Sequence, residues 1–189
     1  MLWVRLVTEL LFDNLNVLKT DLTEAYNTYG SLKNIPAKLD DIVLDYLIYA
    51  YVMGVEDVNE TFGTNVEVQT DKLEWSVYKK IADKDFRQRV QEYVDNGGTV
   101  EDIMRIAETD TTRIYNEGGI DTAIEAGAQY KTWNTMMDDR VRDTHFPLQS
   151  IKAPIDGYFY TWDNDKAKAP GGFTLPENNV NCRCWLTFS

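Results

Sequence analysis

The sequence predicts an α+β protein: a mostly helical N-terminal two-thirds followed by a small antiparallel or mixed β C-terminal unit. Two observations lead to that class. From Leu11 to about Ala126 the apolar residues recur at steps of three and four, the spacing of helices that bury one face. From Tyr130 onward the step falls to two, and Gly, Pro, Asn and Asp cluster between short aromatic segments, as in strands joined by tight turns.

Leu11, Leu15, Leu18, Leu22 and Tyr26 form the first stripe, and their helix is expected to end before Tyr29-Gly30. Pro36 suits a helix start, and Leu39, Ile42, Val43, Tyr46, Leu47, Ala50 and Tyr51 keep a broad stripe to about Met53. Val55 to Asp71 is polar and acidic with one glycine; it reads as a connection with a short strand at Val66 to Val68, and as the main boundary of the chain. Helical spacing returns with Trp75, Tyr78 and Ile81, then with Phe86, Val90, Tyr93 and Val94 after an Asp83 cap, and stops at Gly97-Gly98. Thr99 to Asp102 resembles a capping box that opens a helix bearing Ile103, Ile106, Ala107 and Ile114, with a stop expected at Asn116 to Gly119. A short helix over Ile120 to Ala126 and a break at Gly127 lead into a strand near Tyr130 to Met136.

The last third holds the only histidine and both cysteines. Two helical turns over Asp138 to Phe146 would put Asp138, Arg142 and His145 on one face, and Phe146-Pro147 would end them, because a residue before proline is pushed out of the α region. Asp156-Gly157 marks a turn before an aromatic strand, Tyr158 to Trp162, and Asp163 to Asp165 marks the next turn. Pro170-Gly171-Gly172 and Pro176 to Asn179 bracket a short segment at Phe173 to Leu175. Val180, Cys182, Cys184, Leu186 and Phe188 alternate with Asn181, Arg183, Trp185 and Thr187, so a closing strand carries both thiols on one face. No internal repeat or low-complexity tract is evident.

At 189 residues, 43% hydrophobic and 26% charged, the chain is one globular domain, or one with a helical extension. Its longest apolar run, around Tyr46 to Met53, is far short of the ~20 residues a bilayer requires, and Glu9 and Asp13 stand where a signal peptide would be uncharged. The net charge of -12, concentrated in the N-terminal helices, disfavours non-specific nucleic-acid binding and points to a protein partner. Two cysteines one residue apart make a poor disulfide, and reduced thiols suit synthesis in a cytoplasm.

His145, Cys182 and Cys184 supply one imidazole and two thiolates, a set that zinc takes tetrahedrally, with Asp138, Asp139 or Asp143 near in sequence as a fourth ligand. The alternatives are core packing, with Cys as a small apolar residue, and a reactive thiol. A Cys-His nucleophile would need an oxyanion hole, and neither a glycine-rich turn nor a helix N-terminus adjoins either cysteine. The alternation of Asp with Arg from Asp138 to Asp143 reads as local ion pairing. Asp163 to Asp165 fails as a calcium loop because Lys168 stands where that loop needs glycine. No phosphate-binding loop, dinucleotide fingerprint, H-E-x-x-H or G-x-S-x-G is present, so no catalytic residue is assigned.

Glu108-Thr109 with Arg113 and Asn116, Lys131 to Thr135, Asp138 to His145, Pro170 to Phe173 and Asn181 to Cys184, in this order and spacing, resemble the phage Mu F-like minor head protein family, also called head morphogenesis or minor capsid proteins. The resemblance runs from about Trp75 to Cys184 and implies a Mu F-like domain over 71–189, with helices in 73–128 and a β-rich part in 130–189; residues 1–70 form a helical N-terminal extension outside it, whose acidic amphipathic helices are independently the candidates for a docking region. It implies a non-enzymatic virion component of a tailed bacteriophage or prophage, made in the host cytoplasm and associated with the portal protein, the major capsid protein and the capsid interior or portal vertex. Its role would lie in head assembly or genome delivery. Metal binding proposed for the family carries over onto His145, Cys182 and Cys184. The alternative is a zinc-stapled module that binds packaged DNA inside the head, which requires Lys79, Lys80, Lys84, Arg87 and Arg89 to form a basic face.

Overall fold

The computed structural model describes residues 2–81 and 83–189, with side chains from residue 13 onward. Helix α1 (Leu2–Tyr29) buries Leu15, Leu18 and Leu22 and ends at Gly30, whose φ of 75° a side chain would resist. The Leu11 position of the predicted stripe lies outside the described side chains.

Helix α2 (Leu39–Phe62) runs past its predicted end. Its stripe continues through Gly54, Val55 and Val58, so Glu56 and Glu60 belong to the outer side of the same helix. Lys38 precedes the first turn and Pro36 lies outside it, while Gly63 at φ 63° ends the helix. No strand forms at Val66 to Val68. The Asn59 side chain accepts from the Val66 amide (2.8 Å) and donates to the Val66 carbonyl (2.9 Å), occupying the backbone groups a ladder would use.

After α3 (Thr70–Val77), helix α4 (Phe86–Asp95) opens at Asp85, not Asp83. Asp85 accepts from the Gln88 amide at 2.9 Å while the Gln88 side chain accepts from the Asp85 amide at 3.1 Å; Asp83 sits in the preceding turn with φ 66°. Helix α5 (Val100–Glu125) opens on the expected Thr99–Asp102 box but does not stop at Asn116 to Gly119. Gly118 is inside the helix because α2 crosses there: a Cβ on Gly118 would lie 2.5 Å from the Tyr51 carbonyl oxygen, and one on Gly54 would lie 2.1 Å from that of Tyr115. The glycines mark a close approach of two backbones, and α5 ends before Gly127 at φ 85°.

One apolar core joins α1, α2, α4 and α5, with Val43, Leu47, Phe86, Ile103 and Ile114 fully enclosed. No described helix is long and apolar enough to cross a membrane. The C-terminal part is the predicted small β unit. Strand β1 (Tyr130–Asn134) is the centre of an antiparallel sheet, flanked by β2 (Lys152–Pro154) and β5 (Trp185–Phe188), with Trp133 opposite Leu186. The aromatic strand is confined to β3 (Phe159–Tyr160), which pairs with β4 (Lys166–Ala167) in a separate hairpin. A second core, built on Trp133, Phe159, Phe173 and Leu186, fills the space between them and encloses both cysteines.

Candidate metal centre

The two helical turns expected over Asp138 to Phe146 are not formed. The segment runs as successive turns in which the His145 and Phe146 amides both donate to the Arg142 carbonyl at 2.9 Å, and Pro147 lies within a short 3-10 turn, Phe146–Leu148. Side chains that would have shared one helical face reach across to the chain's end. Asp138 accepts two hydrogen bonds from Arg183 Nη2, at 2.7 and 2.8 Å, and Arg142 donates to the Val180 carbonyl. Charge-assisted tertiary pairs outweigh the local i,i+4 pattern here.

The closing strand is likewise shorter than its alternation. Cys182 and Cys184 lie outside the ladder because α5 takes their backbone: Thr112 donates to the Cys182 carbonyl at 2.6 Å, and Asn116 donates to the Cys184 carbonyl at 3.3 Å. Asn116 also accepts from the Leu186 amide at 3.0 Å, which fixes where β5 begins. The predicted alternation survives as burial, since Cys182, Cys184 and Leu186 all face inward. Thr112 has no signal in the sequence, and Asn116 reads there as the start of a helix stop and as part of the family resemblance, so neither carries a local sign of its clamping role.

The expected donors converge. His145 Nδ1 lies 3.6 Å from Cys182 Sγ and 3.6 Å from Cys184 Sγ, and the three donor atoms lie within 4.8 Å of one another. With Zn–S near 2.3 Å and Zn–N near 2.0–2.1 Å, a tetrahedral N···S edge is about 3.6 Å, so the spacing fits a metal as well as a thiol-imidazole contact. Asp138, Asp139 and Asp143 do not join the cluster, and the fourth ligand position has no His, Cys, Asp or Glu among the described residues. The imidazole is locked by packing, stacked on Phe173 (centroids 5.3 Å apart) and edge-on to Trp133 (5.5 Å, 78°). Its Nε2 is buried without a hydrogen-bond partner, where a ligating histidine ordinarily donates to a carbonyl or carboxylate. The hydrogen bond from Cys184, with His145 adding to it, holds the Cys182 thiol well below the ordinary thiol range despite burial, and the same contact pushes Cys184 up.

Asp165 organises the loops around this centre and was legible only as a turn residue. Its carboxylate accepts from the amides of Lys166 (2.8 Å), Leu175 (2.9 Å) and Thr174 (3.0 Å) and from the Asn178 side chain (3.2 Å). Thr144, next to His145, donates to Asn178 Oδ1 at 2.9 Å, tying the same loops to the imidazole's backbone. A cleft of about 560 Å³ meets Cys182 at its wall, with Glu108, Arg140, Arg142 and Arg183 around it, but His145 does not line it. The basic face required for DNA is largely neutralised: Lys79 pairs with Glu117, Lys84 with Glu92, Arg87 with Asp40 and Asp41, and Arg89 with Asp110.

A helical body whose helix α5 clamps a small β unit around a buried imidazole and two thiols defines a two-part α+β scaffold with a closed Cys-His centre. The family described as Phage Mu protein F like protein matches residues 70–187, more than half of the chain, and the chain belongs to it. That membership makes it a phage head morphogenesis protein. No curated protein and no solved structure matches the chain.

Proposed function

We propose that the chain is a non-enzymatic minor head protein that docks onto the portal protein, the major capsid protein or both during head assembly or genome delivery, at the capsid interior or portal vertex. The family match over residues 70–187 carries this reading. Two features support it. His145 is 1% exposed behind Phe173 and Trp133, and Cys182, at the wall of the first cleft, is also only 1% exposed, which is poor access for a substrate. Tyr158, Tyr160 and Trp162 project from the outer side of the β3–β4 hairpin, and Tyr160 and Trp162 are 64% and 71% exposed, the kind of aromatic face that anchors protein interfaces. Residues 1–70, with their acidic outer helix faces, are the proposed docking region. The test is co-expression with the portal and major capsid proteins of the same phage or prophage. Co-purification of a stoichiometric complex, weakened at least tenfold by Tyr160→Ala with Trp162→Ala, is expected; absence of the chain from purified virions would reject the reading.

A second, compatible reading is that zinc is held by His145, Cys182 and Cys184, a position favoured by the 3.6 Å donor spacing. There it would tie the Asp138–His145 turns to the chain's end, as a structural staple.

A further inference from the structure

A second cleft, of about 480 Å³, runs between the helical body and the loop that leads to Cys182. Its apolar surface comes from Ile81 and Tyr93 on one side and from Phe173 and Pro176 on the other. Its rim carries Lys79, Lys80, Arg89 and Arg105 against one carboxylate, Asp102, on a chain whose net charge is -12. Arg113 also lines it and is 2% exposed.

The charges in this cleft do not balance. Glu117 serves both Lys79 and Arg113, and Asp110 serves Arg89 while lying 3.7 Å from Arg113. Arg105 has only a 3.4 Å contact with Asp102 on a half-exposed side chain, and Lys80 has no carboxylate partner among the described residues. Arg113 donates through Nη1 to the Ser76 carbonyl and to Glu117, but its Nε and Nη2 are buried with no hydrogen-bond partner. Asp110 Oδ1, 3.7 Å from Arg113 Nη2, is likewise buried without a hydrogen-bond partner, so those two groups face each other, and the cations left over in the cleft are Lys80 and Arg105.

We propose that this cleft binds an internal acidic peptide segment from a head partner, with carboxylates meeting Lys80 and Arg105 and a large apolar side chain lying against Tyr93 and Phe173. The surplus of one or two positive charges matches one or two carboxylates; a polyphosphate backbone would need a longer basic track. A cleft of this size suits a few residues of extended chain. Only the source of the segment rests on the head-assembly reading. Binding itself is read with a synthetic probe, so it fails or succeeds independently of portal co-purification.

The experiment uses the full chain and a fluorescein-labelled, N-acetylated, C-amidated peptide containing Glu-Leu-Asp-Phe-Glu, followed by anisotropy. A Kd on the order of 100 μM is expected. The Lys80→Glu, Arg105→Glu double variant, changed only at exposed side chains and checked for an unaltered melting curve, should bind at least about tenfold more weakly. A Lys-Leu-Lys-Phe-Lys control should not bind. Equal binding of both peptides, no binding at about 2 mM chain, or indifference to the double variant would overturn the proposal. So would preference for the free-acid peptide, which would make the site a reader of chain termini, or tighter binding of an oligothymidylate.

Discussion

Tyr51 and Tyr115 donate to carboxylates across the same helix crossing, Tyr51 to Asp121 and Tyr115 to Asp57, each at 2.8 Å. The two helices carry one spacing, Tyr51-Gly54-Asp57 and Tyr115-Gly118-Asp121, and cross antiparallel, so each tyrosine carbonyl faces the other helix's glycine. Burial raises the carboxyl pKa of Asp57 and Asp121 and pushes both phenols up, as expected of polar groups satisfied by each other away from water. This crossing makes α5 a spine to which the β unit is then attached through Thr112 and Asn116.

Gly54→Ala should therefore be costly. The added carbon would fall 2.1 Å from the Tyr115 carbonyl oxygen and 3.0 Å from the Gly119 nitrogen, both backbone atoms that a rotamer change cannot move. A loss of about 3 kcal/mol is expected from overpacking. Gly30→Ala, at φ 75° but with nothing within 4 Å, should cost about 1–2 kcal/mol through backbone strain alone. Urea denaturation of the two variants compares them, and equal losses would refute the close-packing account.

The α2–α5 crossing also shows where the sequence was readable and where it was not. Stripes such as Leu15-Leu18-Leu22 and the Thr99–Asp102 box gave helices and a cap correctly, because their signal is local. Gly118-Gly119 suggests a stop because a glycine pair inside a helix and one after it look alike until the partner helix is known. Val55 to Phe62 was lost to its acidic outer face, although Val55 and Val58 continued the stripe. At the site, the inward alternation of Cys182, Cys184 and Leu186 was legible, and the meeting of His145 with both thiols followed the residue types. The turns from Asp138 to His145 were not legible, since Arg183 and the Val180 carbonyl, about forty residues on, decide where Asp138 and Arg142 point.

His145→Phe separates metal binding from core packing. Phenylalanine keeps the stack on Phe173 and removes the unpartnered Nε2 together with the Nδ1 contacts to the two thiols, so packing alone predicts a stability change of no more than about 1 kcal/mol in metal-free protein. A zinc site predicts about one zinc per chain in protein purified without chelator, lost in His145→Phe and in Cys182→Ser. It also predicts a fall in melting temperature of at least about 5 °C on chelation. Less than about one-tenth equivalent of zinc with no chelator effect would remove the metal.

Asp165→Asn should weaken the loop frame by about 2–3 kcal/mol, because an amide replaces one of the oxygens that accept from Leu175, Thr174 and Lys166. Burial opposes ionisation of Asp165, but these amides and Asn178 outweigh it and hold the carboxyl below its ordinary value of 3.8. A carboxyl lowered on folding contributes stability that is complete above the unfolded value and lost as pH falls through the folded one. The variant should therefore lose less stability than the parent between about pH 5 and pH 2; parallel acid-unfolding curves would contradict the assignment.

Lys131 is wholly enclosed, its Nζ has no hydrogen-bond partner, and its nearest described cation-binding surface is the Phe159 ring, 5.7 Å from the charge. Burial first, and then the nearby Lys168, lower its pKa to about 8, with Asp156 only partly offsetting them. A lysine lowered on folding holds fewer protons than its unfolded counterpart between the two values, so the stability of the chain should rise with pH from about 8 toward 10.4. Below pH 8 the cost of keeping an ammonium without a partner is fully present. Lys131→Met keeps the length of the side chain and removes the charge, and should stabilise the protein by about 1–2 kcal/mol at pH 7 while flattening that slope. Urea titrations at pH 7 and pH 10 measure both effects. A variant less stable than its parent at pH 7 would overturn the assignment of an unpartnered ammonium at this position.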